Sequence, residues 1–439
     1  MDFIYKLSSQ LWGVFLPFLI FMGFFIIYGT FKIARSYSTD GRDTWCIGKV
    51  KSSLSISLSS KVGTGAIIGV LAAMNRLSQS GMGGEGIVLW VLVGMVVLVP
   101  LTYSEVFLSR VTKKPPRDFI DEAFNRKVGT LYIVSLVILY SFGFVGFQLM
   151  GIQSVLKIFI RSVFQHSLTP GGVLAYIILP IIFGVFAIII TKSHEFFIGI
   201  LGSMISSIIT LYILFFVVFL ARTYTFIPEY LDLILKDFLN FKSAAMGVPI
   251  GLIIGFQRII QISETALGTS ALCSSDGENS PKREAVLQTI STVMTLFIAV
   301  VITSYVFTYG RHMLSGVELS PNGFERLVGY LTTVKAVTGM PGLMVVIAFF
   351  IFSGFTTVLG SFHFANVSLH FNENGRIAFY MFLISVSGLL SVSNFDVIFD
   401  ITDLLMFIVG GIMVMAMKVF VWKRLFQSKE GQLKHSAKL

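Results

Sequence analysis

Two side chains of opposite charge interrupt an otherwise apolar stretch of the chain. The stretch at 255–272 reads GFQRIIQISETALGTSAL and contains Arg258 and Glu264. Ionisable groups at membrane depth cost on the order of 2.5–3.5 kcal/mol and usually serve a function. Because six positions separate the two residues, a continuous helix would not place them on one face. A helix break between them, with Gly268 close behind, would turn both inward and place Glu264 near the start of a second half-helix. The alternatives are a structural ion pair and a position nearer the membrane interface.

An earlier glycine-rich stretch, KVGTGAIIG at 61–69, predicts another helix break. Gly63 and Gly65 flank Thr64, and glycine weakens a helix interior while tolerating unusual backbone angles. If the helix unwinds there, a half-helix begins near Ala66, and its free N–H groups and positive dipole end would bind a carboxylate. The alternative is a glycine-rich face that packs against a neighbouring helix.

Oxygen ligands for a cation are expected in two places. The carbonyl groups released before this break, near Ser59 and Val62, could coordinate sodium. Thr356 and Thr357 lie in another apolar stretch, SGFTTVLGSFHFAN at 353–366, and hard cations such as sodium prefer oxygen ligands. The alternative is that these threonines bond back to their own helix, as threonine in membrane helices more often does.

Two glutamines lie in a further apolar stretch, GFVGFQLMGIQ at 143–153. The amide of Gln148 or Gln153 could bind an amino or carboxylate group of a ligand, or it could bridge two helices. The spacing leaves both interpretations open.

The whole chain has the composition of a polytopic helical membrane protein. Of its 439 residues, 55% are hydrophobic and only 13% are charged, and the mean hydropathy is +0.84. Long apolar runs separated by short polar ones are typical of helices that cross a lipid bilayer. The net charge of +10 comes from Lys and Arg in short loops and the C-terminal tail. That pattern favours charge-based membrane orientation over a nucleic-acid partner.

About eleven apolar runs of roughly 20 residues predict membrane-spanning helices. The first run has no small-residue cleavage pattern after it, so we expect a retained helix and not a removed signal. A polar stretch at 222–243 is expected to lie along the membrane surface, and 322–336 to form a short amphipathic helix. The apolar runs lie near 11–33, 54–74, 87–109, 129–159, 172–191, 195–221, 245–271, 286–309, 340–366, 376–391 and 399–422.

The order of these runs predicts an inverted repeat within a single transmembrane domain over 1–439. One extra helix at 11–33 precedes two sets of five, at 54–221 and 245–422. Because five is odd, the second set is inverted relative to the first, as in many secondary transporters, and the first helix of each set is the broken one. With about two thirds of the Lys and Arg on one side, the N-terminus is expected outside and the tail at 423–439 in the cytoplasm.

Five stretches of the chain match, in order, the motifs of one family. They are VGTGAIIG at 62–69, GGEGIVLW at 83–90 with Glu105 after it, RIIQISETALGTSA at 258–271, FTTVLGS at 355–361 and DVIFDITDLL at 396–405. On these motifs the chain resembles the alanine or glycine:cation symporters of the amino acid–polyamine–organocation superfamily. The resemblance implies the leucine-transporter fold, with two inverted five-helix repeats and two broken helices.

The resemblance is uneven along these motifs. The family has asparagine after Gly-Thr-Gly, where this chain has Ala66. The family has a Phe-Ser-Asn triplet, where this chain has Gln261-Ile262-Ser263. The family has an aromatic residue after Leu-Gly, where this chain has Ser361. These departures remove polar contacts to a small amino acid and enlarge the cavity, so they leave alanine or glycine open and make a bulkier amino acid a candidate. The positions that match are Gly63, Thr64, Gly65, Gln148, Arg258, Glu264, Gly268, Thr356 and Thr357.

The residues and the resemblance together predict sodium-coupled symport of a small, alanine- or glycine-like amino acid across a bacterial inner membrane into the cytoplasm. Sodium would organise the first broken helix, so that occupancy of both sites favours the change of access. The expected sodium ligands are Ser59, Val62, Thr356 and Thr357. The expected substrate-binding residues are Thr64, Gly65, Ala66, Gln148, Gln261, Ser263, Glu264 and Ser361.

Two alternatives remain open at this point. Protons could replace sodium as the coupling ion, carried by Glu264 or His363, or the same scaffold could serve as a sensor or a channel. The sequence shows no metal-ligand cluster and no nucleophile–base pair, so neither an enzyme nor an organic cofactor is expected. The oligomeric state is left undetermined by the sequence.

Overall fold

A computed structural model describes residues 2–37, 47–190, 194–240, 242–243, 247–274, 279–368, 372–392 and 395–436. Within these ranges all regular secondary structure is helical, apart from one isolated bridge between Ser243 and Pro249. The all-α class predicted from the apolar runs is confirmed for the described part of the chain.

The described helices follow one another as eighteen α-helical elements, some joined by π-helical turns. In the first half they are α1 (Asp2–Ser36), α2 (Ile47–Lys61), α3 (Thr64–Gln79), α4 (Ile87–Thr112), α5 (Pro116–Ala123), α6 (Arg126–Ile138), α7 (Gly146–Phe164), α8 (Pro170–Val173), α9 (Leu179–Ile190), α10 (His194–Thr223) and α11 (Ile227–Leu239). In the second half they are α12 (Ile250–Ser263), α13 (Thr269–Cys273), α14 (Pro281–Leu296), α15 (Ile302–Met313), α16 (Gly323–Ser368), α17 (Glu373–Leu390) and α18 (Phe395–Ser436).

Eight helices within the described ranges are long and apolar enough to cross a membrane, and α2 with α3 makes a ninth that is bent by 45°. The predicted runs at 245–271 and 376–391 are not among them. The first is divided between α12, of 14 residues, and α13, of 5 residues, and the second corresponds to α17. The helices therefore confirm a multi-pass membrane protein, whereas the predicted number of eleven stays a prediction.

Two segments expected to lie outside the membrane are also helical. The polar stretch at 222–243 forms the end of α10 and then α11. The stretch at 322–336 forms the first part of α16, which leaves helical geometry at Gly339, where φ is 70° and ψ is −166°. Because side chains rarely adopt that backbone conformation, glycine at this position permits the kink between the short helix and the long apolar part of α16.

The helix bundle exposes apolar side chains on its outside and buries polar groups within an otherwise apolar interior. Large apolar side chains on α1, α4 and α9 are widely exposed, among them Phe21, Val96 and Phe183. In contrast, charged and hydroxyl side chains such as Glu105 and Thr357 are almost fully buried. A lipid bilayer accommodates apolar side chains but not polar ones. The buried polar groups around the two helix breaks are therefore where function is expected.

Candidate functional site

The first helix break separates α2 from α3. α2 ends at Lys61 and α3 begins at Thr64, and between them Gly63 is extended, with φ −145° and ψ 178°. A Cβ atom added at Gly63 would overlap the side-chain amide of Gln148, and one added at Gly65 would lie 3.3 Å from Gln148 Nε2. Glycine at these positions therefore lets the side chain of Gln148 approach the backbone of the break.

The carboxamide oxygen of Gln148 accepts hydrogen bonds at the N-terminus of α3. The Thr64 hydroxyl donates to Gln148 Oε1 at 2.9 Å, and the Gly65 N–H donates to the same oxygen at 3.3 Å. The Ala66 N–H donates to the carbonyl of Gly63 at 3.2 Å. Free N–H groups at a helix start attract an acceptor. A neutral amide oxygen thus lies where the sequence analysis places a substrate carboxylate.

Oxygen atoms of α2 and α16 converge next to the first break. Thr357 Oγ1 lies 3.0 Å from the carbonyl oxygen of Ser59, 3.3 Å from that of Val62 and 2.9 Å from that of Ser353. The Thr356 hydroxyl lies 3.0 Å from the same Ser353 oxygen. Thr357 has a single proton to donate, so it cannot bond to the carbonyl oxygens of Ser59 and Val62 at once, and at least one of these two oxygens keeps a lone pair for another ligand. Buried oxygen donors in this number suit a hard cation.

The second helix break begins at Glu264. α12 continues past Arg258 and ends one residue before Glu264, and α13 starts at Thr269. Glu264, Ala266 and Gly268 have positive φ angles of 57°, 65° and 87°. The expectation of a break between Arg258 and Glu264 is therefore wrong. Glu264 ends the first half-helix in a left-handed conformation, ahead of the second half-helix and not at its start.

Arg258 forms a buried ion pair with α18. Its Nη2 lies 2.5 Å from Asp403 Oδ1, and Arg76 Nη1 lies 2.5 Å from Asp403 Oδ2. The side chains of Arg258 and Asp403 are 0% and 1% exposed. Arg258 also donates to the side-chain oxygen of Gln261. One carboxylate therefore joins α3, α12 and α18, which is the structural ion pair that the sequence left as an alternative for Arg258.

Glu264 belongs to a second buried group of charges. Lys61, Glu105 and Glu264 are almost completely buried and close enough to interact electrostatically. Glu105 Oε1 accepts a hydrogen bond from the Ala271 N–H at 3.2 Å, which anchors α13 to α4. Lys61 Nζ lies 3.4 Å from the Thr292 hydroxyl. Because Lys61 ends α2 and Glu264 opens the second break, this group of charges links the two breaks.

The residues at which the chain departs from the family motifs lie in different surroundings. Gln261 approaches α3 closely, since a Cβ atom added at Gly69 would lie 2.9 Å from Gln261 Oε1. Among the described residues, Gln261 Nε2 has no hydrogen-bond acceptor. The hydroxyls of Ser263 and Ser361 instead donate to carbonyl groups of their own helices, both at 2.7 Å. Of these three, Gln261 presents a buried donor that a ligand could use.

Two parts of the site carry no role in the sequence analysis. Asp403 lies within DVIFDITDLL, and an acidic side chain in an apolar run was the signal that could have paired it with Arg258. Ser353 contributes its backbone carbonyl, for which side-chain types give no signal. Gln153 donates to the carbonyl of Ser391 and so bridges α7 to the end of α17. The side chain of His363 lies outside the described residues.

Broken helices around buried oxygen atoms and charges define the class of helical membrane transporters, whose ion and substrate sites are built from discontinuous helices. The model of one family, described as the sodium:alanine symporter family, matches residues 2–434. The chain belongs to the sodium:alanine symporter family. It is accordingly a membrane transporter and not an enzyme.

Two relatives match most of the chain at low sequence identity. The "Probable sodium/glutamine symporter GlnT" of Bacillus subtilis is 23% identical over 369 residues, which cover 80% of this chain and 72% of that protein. A Haemophilus influenzae protein described as an uncharacterized transporter is 21% identical over 463 residues, covering 98% of this chain and 90% of that protein.

A solved structure supports the fold. The chain resembles a Na⁺-coupled sialic acid symporter in its substrate-bound outward-open state, with a TM-score of 0.53 and 13% sequence identity. The likeness covers 88% of this chain and 79% of that one. At such low identity the likeness concerns the arrangement of helices alone.

Proposed function

We propose that the protein couples the uptake of an amino acid to sodium by alternating access. The observation that carries the proposal is the position of Thr357 Oγ1, which lies within hydrogen-bond distance of three carbonyl oxygens, one on α2, one in the first break and one on α16. Sodium would bind the carbonyl oxygens of Ser59, Val62 and Ser353 together with the hydroxyls of Thr356 and Thr357. Because hydroxyl and carbonyl oxygens without a negative charge suit a monovalent cation, sodium fits this group of donors.

The same oxygens give a physical reason for coupling. Ser59 lies in the last turn of α2 and Val62 in the first break directly after it, whereas the threonines belong to α16. A cation between them would bind best when the two helices are in contact. Sodium occupancy would therefore favour that conformation over one in which α2 and α16 have separated, and a ligand shifts an equilibrium only through such differential affinity.

The substrate would bind on the other side of the first break. We infer that its carboxylate exchanges with Gln148 Oε1 at the N–H groups of Thr64–Ala66, while its side chain faces Gln261, Ser263 and Ser361 with Glu264 nearby. Support comes from Gln261 Nε2, which has no hydrogen-bond acceptor among the described residues, and from the small side chains of Ala66 and Ser361. A donor in a widened pocket suits an amino acid with a polar side chain larger than that of alanine.

The membrane arrangement that we propose follows the two breaks. The pairs α2–α3 and α12–α13 would be the first spans of two inverted five-helix repeats, 54–221 and 245–422, after an extra helix at 11–33. Eleven crossings in a single domain over 1–439 would place the N-terminus outside and the tail at 423–439 in the cytoplasm of a bacterial cell. Support comes from the helical breaks in both stretches.

Proteoliposomes containing the purified chain test the function. We expect an inward sodium gradient to drive accumulation of at least one amino acid, screened across small and larger polar substrates. Amino-acid flux that ignores the sodium gradient would reject the coupling.

The buried group of Lys61, Glu105 and Glu264 favours one rival, a proton-coupled carrier. In that case an imposed pH gradient without sodium would drive the same uptake.

A further inference from the structure

A groove lies between the end of α7 and the kinked part of α16. Its volume is about 590 Å³, and its walls are formed by α7 side chains from Ile158 to Ser162 and by α16 side chains on both sides of Gly339. Most of these side chains are apolar, including Phe159, Leu331 and Ile347. The kink at Gly339 produces the groove, because it turns the first part of α16 away from the line of its long apolar part.

The surroundings of the groove indicate that it opens toward lipid. Met340 and Met344, on α16 beside it, are 42% and 47% exposed, and Phe164 at the end of α7 is 67% exposed. Large apolar side chains left exposed in a chain that spans a membrane contact the acyl region or its interface. An apolar groove in this position is accessible from the bilayer.

Two positive charges border this apolar groove. Arg161 projects from α7 and Lys335 from α16, and no carboxylate is found among the described side chains that line the groove. Ser162 and Thr332 add hydroxyl donors to the same walls. A zwitterionic amino acid would find partners for its carboxylate but none for its ammonium group. The lining suits a ligand with a negative head and an apolar body.

We propose that this groove binds an anionic phospholipid. The phosphate would lie between Arg161 and Lys335, and an acyl chain would follow the apolar wall of Leu331 and Ile347. Since the first part of α16 and α7 both contribute to the groove, a bound lipid would fix the helix that precedes Gly339 against α7. The proposal is independent of which amino acid or ion the protein transports.

Native mass spectrometry of the purified full chain, incubated with phosphatidylglycerol or phosphatidylcholine, tests the proposal. We expect preferential retention of phosphatidylglycerol, reduced about tenfold when Arg161→Gln and Lys335→Gln are combined, given the attraction that each cation near a membrane surface contributes. Val328→Trp, which narrows the groove and leaves both charges in place, should also reduce retention.

A matched control separates this groove from general surface charge. Lys236→Gln removes an exposed cation on α11, a helix that contributes no residue to the lining of the groove, and should leave lipid retention unchanged. Equal retention of the two lipids, or an unchanged signal in the double variant, would overturn the proposal. Displacement of phosphatidylglycerol by a free amino acid would overturn it as well, because the groove would then belong to the substrate path.

Discussion

The two helix breaks of this protein are stabilised by different chemistry. At the first break, neutral oxygens satisfy the backbone: the Gln148 amide at the start of α3 and the Thr357 hydroxyl beside the end of α2. At the second, left-handed residues turn the chain, and buried charges hold it. Neutral oxygens can exchange with a cation or a carboxylate at low cost, whereas a buried ion pair is costly to separate. On this difference we propose that the first break binds ligands and that the second break holds the first in position.

The largest expected effect comes from removing a buried charge that holds the second break. Asp403→Ala would remove the Asp403 carboxylate from the buried Arg258, and removing one partner of a buried pair costs about 3–5 kcal/mol. We expect a large loss of folded protein, measured by thermal unfolding and size-exclusion chromatography in detergent. Arg76→Gln is the matched control, because Arg76 is 13% exposed and the Arg258–Asp403 pair remains. Equal melting of Asp403→Ala and the natural protein would contradict the assigned scaffold role.

The next effect concerns the space in the first break. Gly63→Ala would place a methyl group against the Gln148 amide, and forced overpacking costs about 1–3 kcal/mol. We expect lower thermal stability and slower uptake. Combining Gly63→Ala with Gln148→Ala should restore much of the melting temperature by removing the clash, while uptake stays low. Recovery of full transport in the double variant would show that Gln148 has no part in substrate binding.

A smaller effect isolates one hydroxyl of the proposed sodium site. Thr357→Val keeps the shape of the side chain and removes the oxygen, so the sodium concentration for half-maximal uptake should rise about tenfold. Thr357→Ser keeps the oxygen and should remain close to the natural protein. Combining Thr356→Ala with Thr357→Ala should weaken the sodium dependence further, with little change in the order of preferred substrates. An unchanged sodium response in that double variant would remove these threonines from the ion site.

The smallest expected effect concerns substrate selectivity at the first break. Ala66→Asn introduces the amide found at this position in the family motif, and Ala66→Leu introduces a side chain of similar size without the amide. We expect a shift in selectivity of about tenfold, the lower end of what one side-chain change in a pocket gives. We expect the asparagine variant alone to shift uptake toward alanine or glycine. A shift of equal size in both variants would attribute the selectivity to volume and not to hydrogen bonding.

The position of the first break can largely be predicted from the sequence, because glycines within an apolar run indicate an unwound helix. The sodium ligands near it could be predicted only in part. The hydroxyl of Thr357 can be recognised from the residue type. The contribution of the Ser353 carbonyl cannot, because it depends on the position of the α16 backbone relative to Thr357. The second break was harder to place. A left-handed glutamate at the end of a helix has no sequence signal.

Long-range pairing explains the other omission. Asp403 meets Arg258 and Arg76 across 145 and 327 residues of sequence. A single sequence can show that a buried arginine needs a carboxylate, but it offers several acidic candidates within the apolar runs. The helix count was also ambiguous for a physical reason. Because a broken helix divides its apolar residues between two short halves, α12 and α13 lack the length of a complete span.

Direct measurement of sodium binding tests the central claim, that oxygens of α2 and α16 form a cation site beside the first break. Radioactive sodium would be bound to the purified full chain in detergent, with no ion gradient present, and counted by scintillation proximity. We expect saturable sodium binding to the natural protein and to Thr357→Ser, and about tenfold weaker binding to Thr357→Val. Equal sodium affinity in all three proteins would contradict the claim.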